Sequence, residues 1–367
     1  MENYKKHILI LTPGFPKDES DENCIPPLQI FLKDFSKSFN EYKITVISIH
    51  YPIASSKYFW NKITVHSCGG NNISFPKRIK VWKNVMSLVR KIHQEFPISL
   101  IHSFWLGECA YLGSRMSKKY KILQINTLMG QELNERNLYL KFVNLNKTKI
   151  VALSDRQASL FKAKTGKNIN KIIPWGIKPE ERIINEVREN DIIGVGSLIP
   201  GKNFELFIEI VKNIKEILPE ISVALLGDGT EKENVRNLII KLNLENNIKL
   251  FGNINRKDVL NLMGKSKILL HTSKYESFGY VLAEALACGC YVVCSETGFA
   301  KNTNKMFVAT RKDEYIKSIS ELLKTKPDYT PEIPFAINAT SKMYKKLYDE
   351  ICISNNKIFS FHHNKLS

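Results

Sequence analysis

Short apolar runs alternate with amphipathic stretches along the whole of this chain. In the first half, strand-like runs fall at Ile8–Leu11, Ile44–Ile49, Ile63–His66, Leu100–Ser103, Lys121–Asn126 and Lys149–Leu153. Between them, apolar residues recur at helical spacing over Pro27–Phe39, Val81–Gln94, Gly107–Lys118 and Arg156–Thr165. In the second half the strands fit Ile192–Val195, Ser222–Leu226, Ile248–Phe251, Ile268–His271, Tyr291–Cys294 and Met306–Ala309. The helices there fit Asn203–Ile217, Lys232–Leu242, Arg256–Lys265, Gly279–Cys288 and Glu314–Leu323. Runs apolar throughout suit strands buried on both faces, and strand–helix alternation predicts α/β architecture with parallel sheets. The length of 367 residues accommodates two such units in tandem. A polar stretch, Ile177–Asp191, marks the hinge between them. The expected organisation is a first domain at 1–183, a second at 184–335, and a terminal segment at 336–367 opening on a helix over Ala336–Ile353.

Composition changes this picture little, and charge distribution changes it more. No apolar run approaches the ~20 residues of a membrane-spanning helix. Two lysines precede Ile8–Leu11, but that run is too short for a signal-peptide core and reads as a buried first strand. Seven cysteines without framework spacing suit reduced thiols, and hence a cytoplasmic protein. Residues 1–185 carry 29 Lys and Arg against 14 Asp and Glu, and residues 186–367 carry 25 against 22, so the net charge of +18 divides as +15 and +3. An anionic partner is therefore expected for the first half. The segment 75–93 reads as an amphipathic helix with its entry, and Lys80, Lys83 and Arg90 share one face. With Lys77, Arg78 and Lys91, beside Phe75 and Trp82, they suit an anionic membrane surface. No nucleic-acid-binding module accompanies the basic residues, and none is expected as partner.

The candidate chemistry concentrates at residues 271–293, HTSKYESFGYVLAEALACGCYVV. Glu276 lies in a loop after a strand, and Glu284 lies in the second turn of the following helix. Between them Phe278, Gly279 and Tyr280 form a helix entry, where unpaired N–H groups and the dipole favour a phosphate. Carboxylates on either side can accept from sugar hydroxyls. The arrangement reads as a nucleotide-sugar pocket.

The pattern E-x-F-G-x-x-x-x-E-A-x-A-x-G resembles the donor-site signature of the GT4 family of glycosyltransferases. GVGSLIPGK (194–202), LLGDG (225–229), LFGNI (250–254), IIPWGI (172–177) and TPGF (12–15) extend the resemblance over nearly the whole chain. The resemblance implies a GT-B fold, with two Rossmann-like domains whose parallel sheets face across a cleft. It implies a first domain for the acceptor, a second for the donor, and a terminal helix packed back on the first. It further implies that a sugar passes from a nucleotide diphosphate to a glycan or lipid-linked acceptor with retention, in surface polysaccharide or glycolipid synthesis. Lys202 would hold the donor phosphates, Glu276 a sugar hydroxyl near the reacting carbon, and Glu284 the ribose. Gly14 and Ser197 would line the donor site. Neither metal nor other cofactor is expected, because a lysine and helix-end amides can neutralise a leaving diphosphate.

Departures from the pattern matter too. Ser197 stands where the family often has Arg, and Met129 where it has His. Tyr291 replaces the usual Pro. With Met129 in place, His102, ending the IHSFW strand, is the first-domain histidine expected near the reaction. A nucleotide-sugar epimerase of similar fold and a non-catalytic partner that kept the fold are the competing readings. Localisation follows as cytoplasmic, with peripheral attachment to the inner face of the cell membrane.

Overall fold

A computed structural model of the chain describes residues 4–133, 137–181, 183, 185, 187–325 and 328–363. It divides into two compact units, Met1–Gly176 with Ile337–Ser367, and Ile177–Ala336. The boundary expected at 183/184 therefore falls inside the second unit.

The first unit contains β1 (Lys6–Gly14), α1 (Pro26–Ser38), β2 (Tyr42–Tyr51), β3 (Ser56–Trp60), β4 (Ile63–Ser67), α2 (Arg78–Glu95), β5 (Leu100–Phe104), α3 (Glu108–Tyr120), β6 (Leu123–Thr127), β7 (Lys149–Ala152), α4 (Asp155–Thr165) and β8 (Lys171–Ile172). The second contains β9 (Asn190–Val195), α5 (Phe204–Ile217), β10 (Val223–Leu226), α6 (Lys232–Lys241), β11 (Ile248–Gly252), α7 (Arg256–Gly264), β12 (Ser266–His271), α8 (Tyr280–Ala287), β13 (Tyr291–Ser295), β14 (Met306–Ala309) and α9 (Lys312–Lys324). The chain then returns to the first unit as α10 (Ile337–His363).

The first sheet runs β3-β4-β2-β1-β5-β6-β7-β8, parallel except for the β3–β4 edge hairpin. Sequence periodicity misses β3. Its two-residue turn uses Asn61 and Lys62, at φ 43° and 68°, in the left-handed conformation such hairpins need, without the glycine that usually signals it. The two residues of β8 are too few to show a period. One face of the sheet packs on α2 and α3 through Leu9, Leu11, Ile47, Val85, Val89 and Leu112. The other packs on α1 and α10 through a buried aromatic cluster of Phe31, Phe35, Phe104, Trp175, Tyr344 and Tyr348.

The second sheet is wholly parallel in the order β11-β10-β9-β12-β13-β14. Counted within the unit this is 3-2-1-4-5-6, the doubly wound order of dinucleotide-binding folds. Phe207, Ile208 and Val211 of α5 and Ile319 of α9 cover one face. Leu260 and Met263 of α7 and Leu282 and Leu286 of α8 cover the other. Strand order reverses between β9 and β12, so connections leaving their carboxyl ends diverge to opposite faces. Ligands bind sheets of this kind in the crevice left there.

Candidate functional site

The loops after β9 and β12 meet at that reversal point. After β9, Pro200–Lys202 form one 3-10 turn, and Asn203, at φ 55°, redirects the chain into α5. This turn is tied to the β12 loop by three bonds: Lys274 N–H to Gly201 O at 2.9 Å, and Thr272 Oγ1 to Lys202 O at 3.2 Å and Asn203 O at 3.0 Å. They bring Lys202 to Glu276, 74 residues further on, and its ammonium donates to Glu276 Oε1. Close backbone approach supports the turn. A Cβ on Gly227 would lie 1.9 Å from Gly196 O, so only glycine fits.

Glu276 is 16% exposed, and His271 Nε2 lies 3.1 Å from the same Oε1. Burial raises the carboxyl, but the His271 hydrogen bond and the Lys202 charge outweigh it and hold it at about 2, against an ordinary 4.5. The group is a fixed carboxylate. His271 is buried, and its Nδ1 has no partner among the described residues.

Gly279, at φ 82°, turns the chain into α8. Glu284 follows one turn in, with its side chain 13% exposed. Arg256, the first residue of α7, donates to Glu284 Oε1 from Nε at 3.1 Å and from Nη2 at 2.7 Å. Its Nη1 bonds Glu181. Burial pushes the Glu284 carboxyl up, against the lowering effect of Arg256.

Lys202, Glu276, Gly279, Tyr280 and Glu284 thus share the loop, helix entry and first turns at the end of the second sheet. Tyr280 opens α8, and burial raises its hydroxyl strongly. Ser197 is exposed in the loop after β9. Lys274 lines a neighbouring groove of 370 Å³ with Ile199, Pro200, Asn203, Phe204 and Glu231. Phe278 needs correction as a donor-binding side chain. It is 2% exposed, its ring packed on Phe299 and Phe335 at 4.9 and 5.6 Å, so it anchors the turn from within.

His102 needs a larger correction. It is wholly buried in the first unit, its Nδ1 2.7 Å from Tyr348 Oη and its Nε2 2.8 Å from Thr127 Oγ1. Burial lowers it to about 3, so it is a neutral core imidazole under α10 with both nitrogens occupied. Gly14 ends β1 in the same unit, beside the Phe15 N–H to Tyr51 O bond at 3.1 Å. A Cβ there would meet only ordinary contacts of 3.4 Å and beyond.

Sequence reasoning missed Arg256, His271 and Glu181. Arg256 carried a signal: a cation in the first turn of a helix opposes the dipole, which marks a residue held by something else. Among the described residues, no three His, Cys, Asp or Glu side chains are grouped to hold a metal ion. Nor is any helix among them long and apolar enough to cross a membrane.

Residues 178–331 match the family described as glycosyl transferases group 1. An uncharacterized glycosyltransferase of Methanocaldococcus jannaschii is 27% identical over 223 residues, 59% of this chain and 61% of that protein. The N-acetylgalactosamine-N,N'-diacetylbacillosaminyl-diphospho-undecaprenol 4-alpha-N-acetylgalactosaminyltransferase of Campylobacter jejuni is 34% identical over 110 residues, 30% of this chain and 29% of that protein. The chain thus spans less than two thirds of the length of these curated relatives. In fold it resembles Anabaena HepE in complex with UDP-glucose, with a TM-score of 0.68 at 18% identity, covering 96% of this chain and 99% of that one. Residues 178–331 are thus similar to the glycosyl transferases group 1 family, and the fold of the chain is that of GT-B glycosyltransferases.

Proposed function

We propose that this protein is a retaining glycosyltransferase that moves a sugar from a nucleotide diphosphate donor to a glycan or lipid-linked acceptor, in surface polysaccharide or glycolipid synthesis. The observation that carries the reading is the pairing of Lys202 with Glu276 at the reversal point of the second sheet, beside the amino end of α8. A donor diphosphate would take the Lys202 ammonium and the helix-end amides, which stabilise the charge that grows on it as the sugar leaves. Glu276 would then accept from a sugar hydroxyl next to the developing positive charge. Ser197 completes the proposed lining within the second unit, without the arginine the family often has at that position. HepE is a neighbour seen with UDP-glucose, and the Campylobacter relative is named for a lipid-linked acceptor, which favours donor and acceptor of these classes. No metal is required in this scheme, so turnover should survive EDTA.

The acceptor class favours docking on a membrane surface, and exposed aromatic and basic side chains of the first unit support that reading. Phe75, Leu138 and Phe142 are 70%, 64% and 66% exposed. The segment of Leu138 and Phe142 is tied to α2 through Arg78 Nη1 to Tyr139 Oη at 3.3 Å and through the Trp82–Tyr111–Phe142 ring contacts, and Phe75 precedes α2 in sequence. Lys77, Lys80 and Lys83 stand exposed beside them. Arg78 and Trp82 leave the expected docking face, because both turn inward to Glu108. Vesicles with anionic lipid should bind the protein at low salt and neutral vesicles should not.

Incubation with nucleotide sugars, with and without lipid-linked acceptors, tests the function. Transfer that needs an acceptor supports it, whereas a rearranged donor sugar without acceptor would indicate epimerisation instead.

A further inference from the structure

Glu284 is held before any ligand arrives. Arg256 presents the Nε and Nη2 edge of its guanidinium to the carboxylate, and both bonds end on the same oxygen, Oε1. The remaining corner, Nη1, is fixed by Glu181 in the 3-10 turn Pro179–Glu181. A guanidinium is planar with its donors in a rigid fork, so bonds along one edge and at the opposite corner leave it no freedom to swing. The carboxylate it holds is fixed with it, and Oε2 stays outside the pair.

We propose that Arg256 is a positioning residue for the nucleotide's sugar: it aims Glu284 Oε2 at the ribose hydroxyls. The proposal rests on the donor-site reading above. An ionised carboxylate only accepts hydrogen bonds, so its ligand must bring donors, as the vicinal hydroxyls of ribose do. Charge points the same way. Arg256 is shared with Glu181, which Lys178 also pairs at 3.6 Å, so the charge on Glu284 is met on the Oε1 side, and its open Oε2 repels phosphate and accepts from a neutral diol. At the other end of the motif Lys202 and the start of α8 favour an anion. The two ends therefore orient a nucleotide diphosphate in one direction, diphosphate toward Lys202 and ribose toward Glu284. If Arg256 were only a staple between α7, α8 and the 179–181 turn, its loss would weaken binding of every ligand alike.

Calorimetric titration of the full chain with UDP and GDP, each against its 2′,3′-dideoxy form, separates these roles. Wild type should prefer the ribonucleotide it binds roughly 10- to 100-fold, the range for a hydrogen bond to a charged group. Arg256→Lys keeps the charge and loses the fork. It should reduce the preference to within about threefold while the dideoxy form binds as before. Glu181→Gln, which leaves Arg256 and Glu284 intact, should reduce it by a smaller factor in the same selective way. Loss of affinity for both forms in parallel, or an unchanged preference in both variants, would overturn the positioning role. Failure of wild type to bind either nucleotide would sink the donor-site reading itself, and this proposal with it.

Discussion

Replacing Glu276 by Gln should remove a pH-dependent part of the second unit's stability. The carboxyl is held at about 2 against an ordinary 4.5, so its ionised form stabilises the folded state. A difference of 2.5 pH units corresponds to about 3 kcal/mol at pH 7 by linkage. Because the folded value is the lower one, this contribution is complete above 4.5 and fades as pH falls toward 2. About 0.8 kcal/mol should be gone at pH 4 and about 2 kcal/mol at pH 3. The variant should lack that slope, so the gap between the two proteins narrows on acidification. All four tryptophans, Trp60, Trp82, Trp105 and Trp175, lie in the first unit, so fluorescence cannot follow the second. Urea-dependent labelling of the buried Cys288, Cys290 and Cys294, resolved by mass spectrometry, can. Tryptophan fluorescence then serves as an internal control that the substitution should leave unmoved. Parallel curves for the two proteins from pH 7 to pH 3.5 would refute the ion-paired account of Glu276.

Other substitutions probe the corrected and the steric features. His102→Leu strands the Tyr348 hydroxyl in the core, while Thr127 keeps its bond to Tyr344 at 3.1 Å, and should cost about 1–3 kcal/mol in denaturant titration while nucleotide affinity stays unchanged; a selective loss of nucleotide binding would return His102 to the site. Gly227→Ala drives a methyl against Gly196 O, so it should displace the β9 loop and weaken nucleotide binding by an order of magnitude or more; wild-type affinity in calorimetry would show that the loop is not set by this contact.

Much of the second unit was legible because its strands carry short apolar runs and its helices are amphipathic, so the two periods separate. Glu276 and Glu284 could be placed on loop and helix from Gly279 and the good helix formers after it. Their partners were less visible. Lys202 reaches Glu276 through bonds from Thr272 to the backbone of a distant turn, which no local pattern encodes. Arg256 was passed over as one cation among many. His102 and Phe278 show the converse limit. Histidine ending an apolar strand reads the same whether it faces a crevice or a helix, and Tyr348, 246 residues away, decides the matter. Phe278 sits inside the motif, yet its ring completes a cluster with Phe299 and Phe335 that sequence spacing does not announce. The basic face of α2 was readable, whereas the inward turn of Arg78 and Trp82 depends on Glu108 at the start of the next helix.

The central claim is that the second unit binds a nucleotide diphosphate with its phosphates on Lys202. Calorimetry with a panel of nucleoside diphosphates and their parent nucleosides tests it most directly, run on wild type and on Lys202→Ala. The account predicts that one diphosphate binds wild type clearly more tightly than its nucleoside, and that Lys202→Ala loses most of that margin while the nucleoside binds as before. Equal losses for nucleoside and diphosphate, or no binding by any member of the panel, would contradict it.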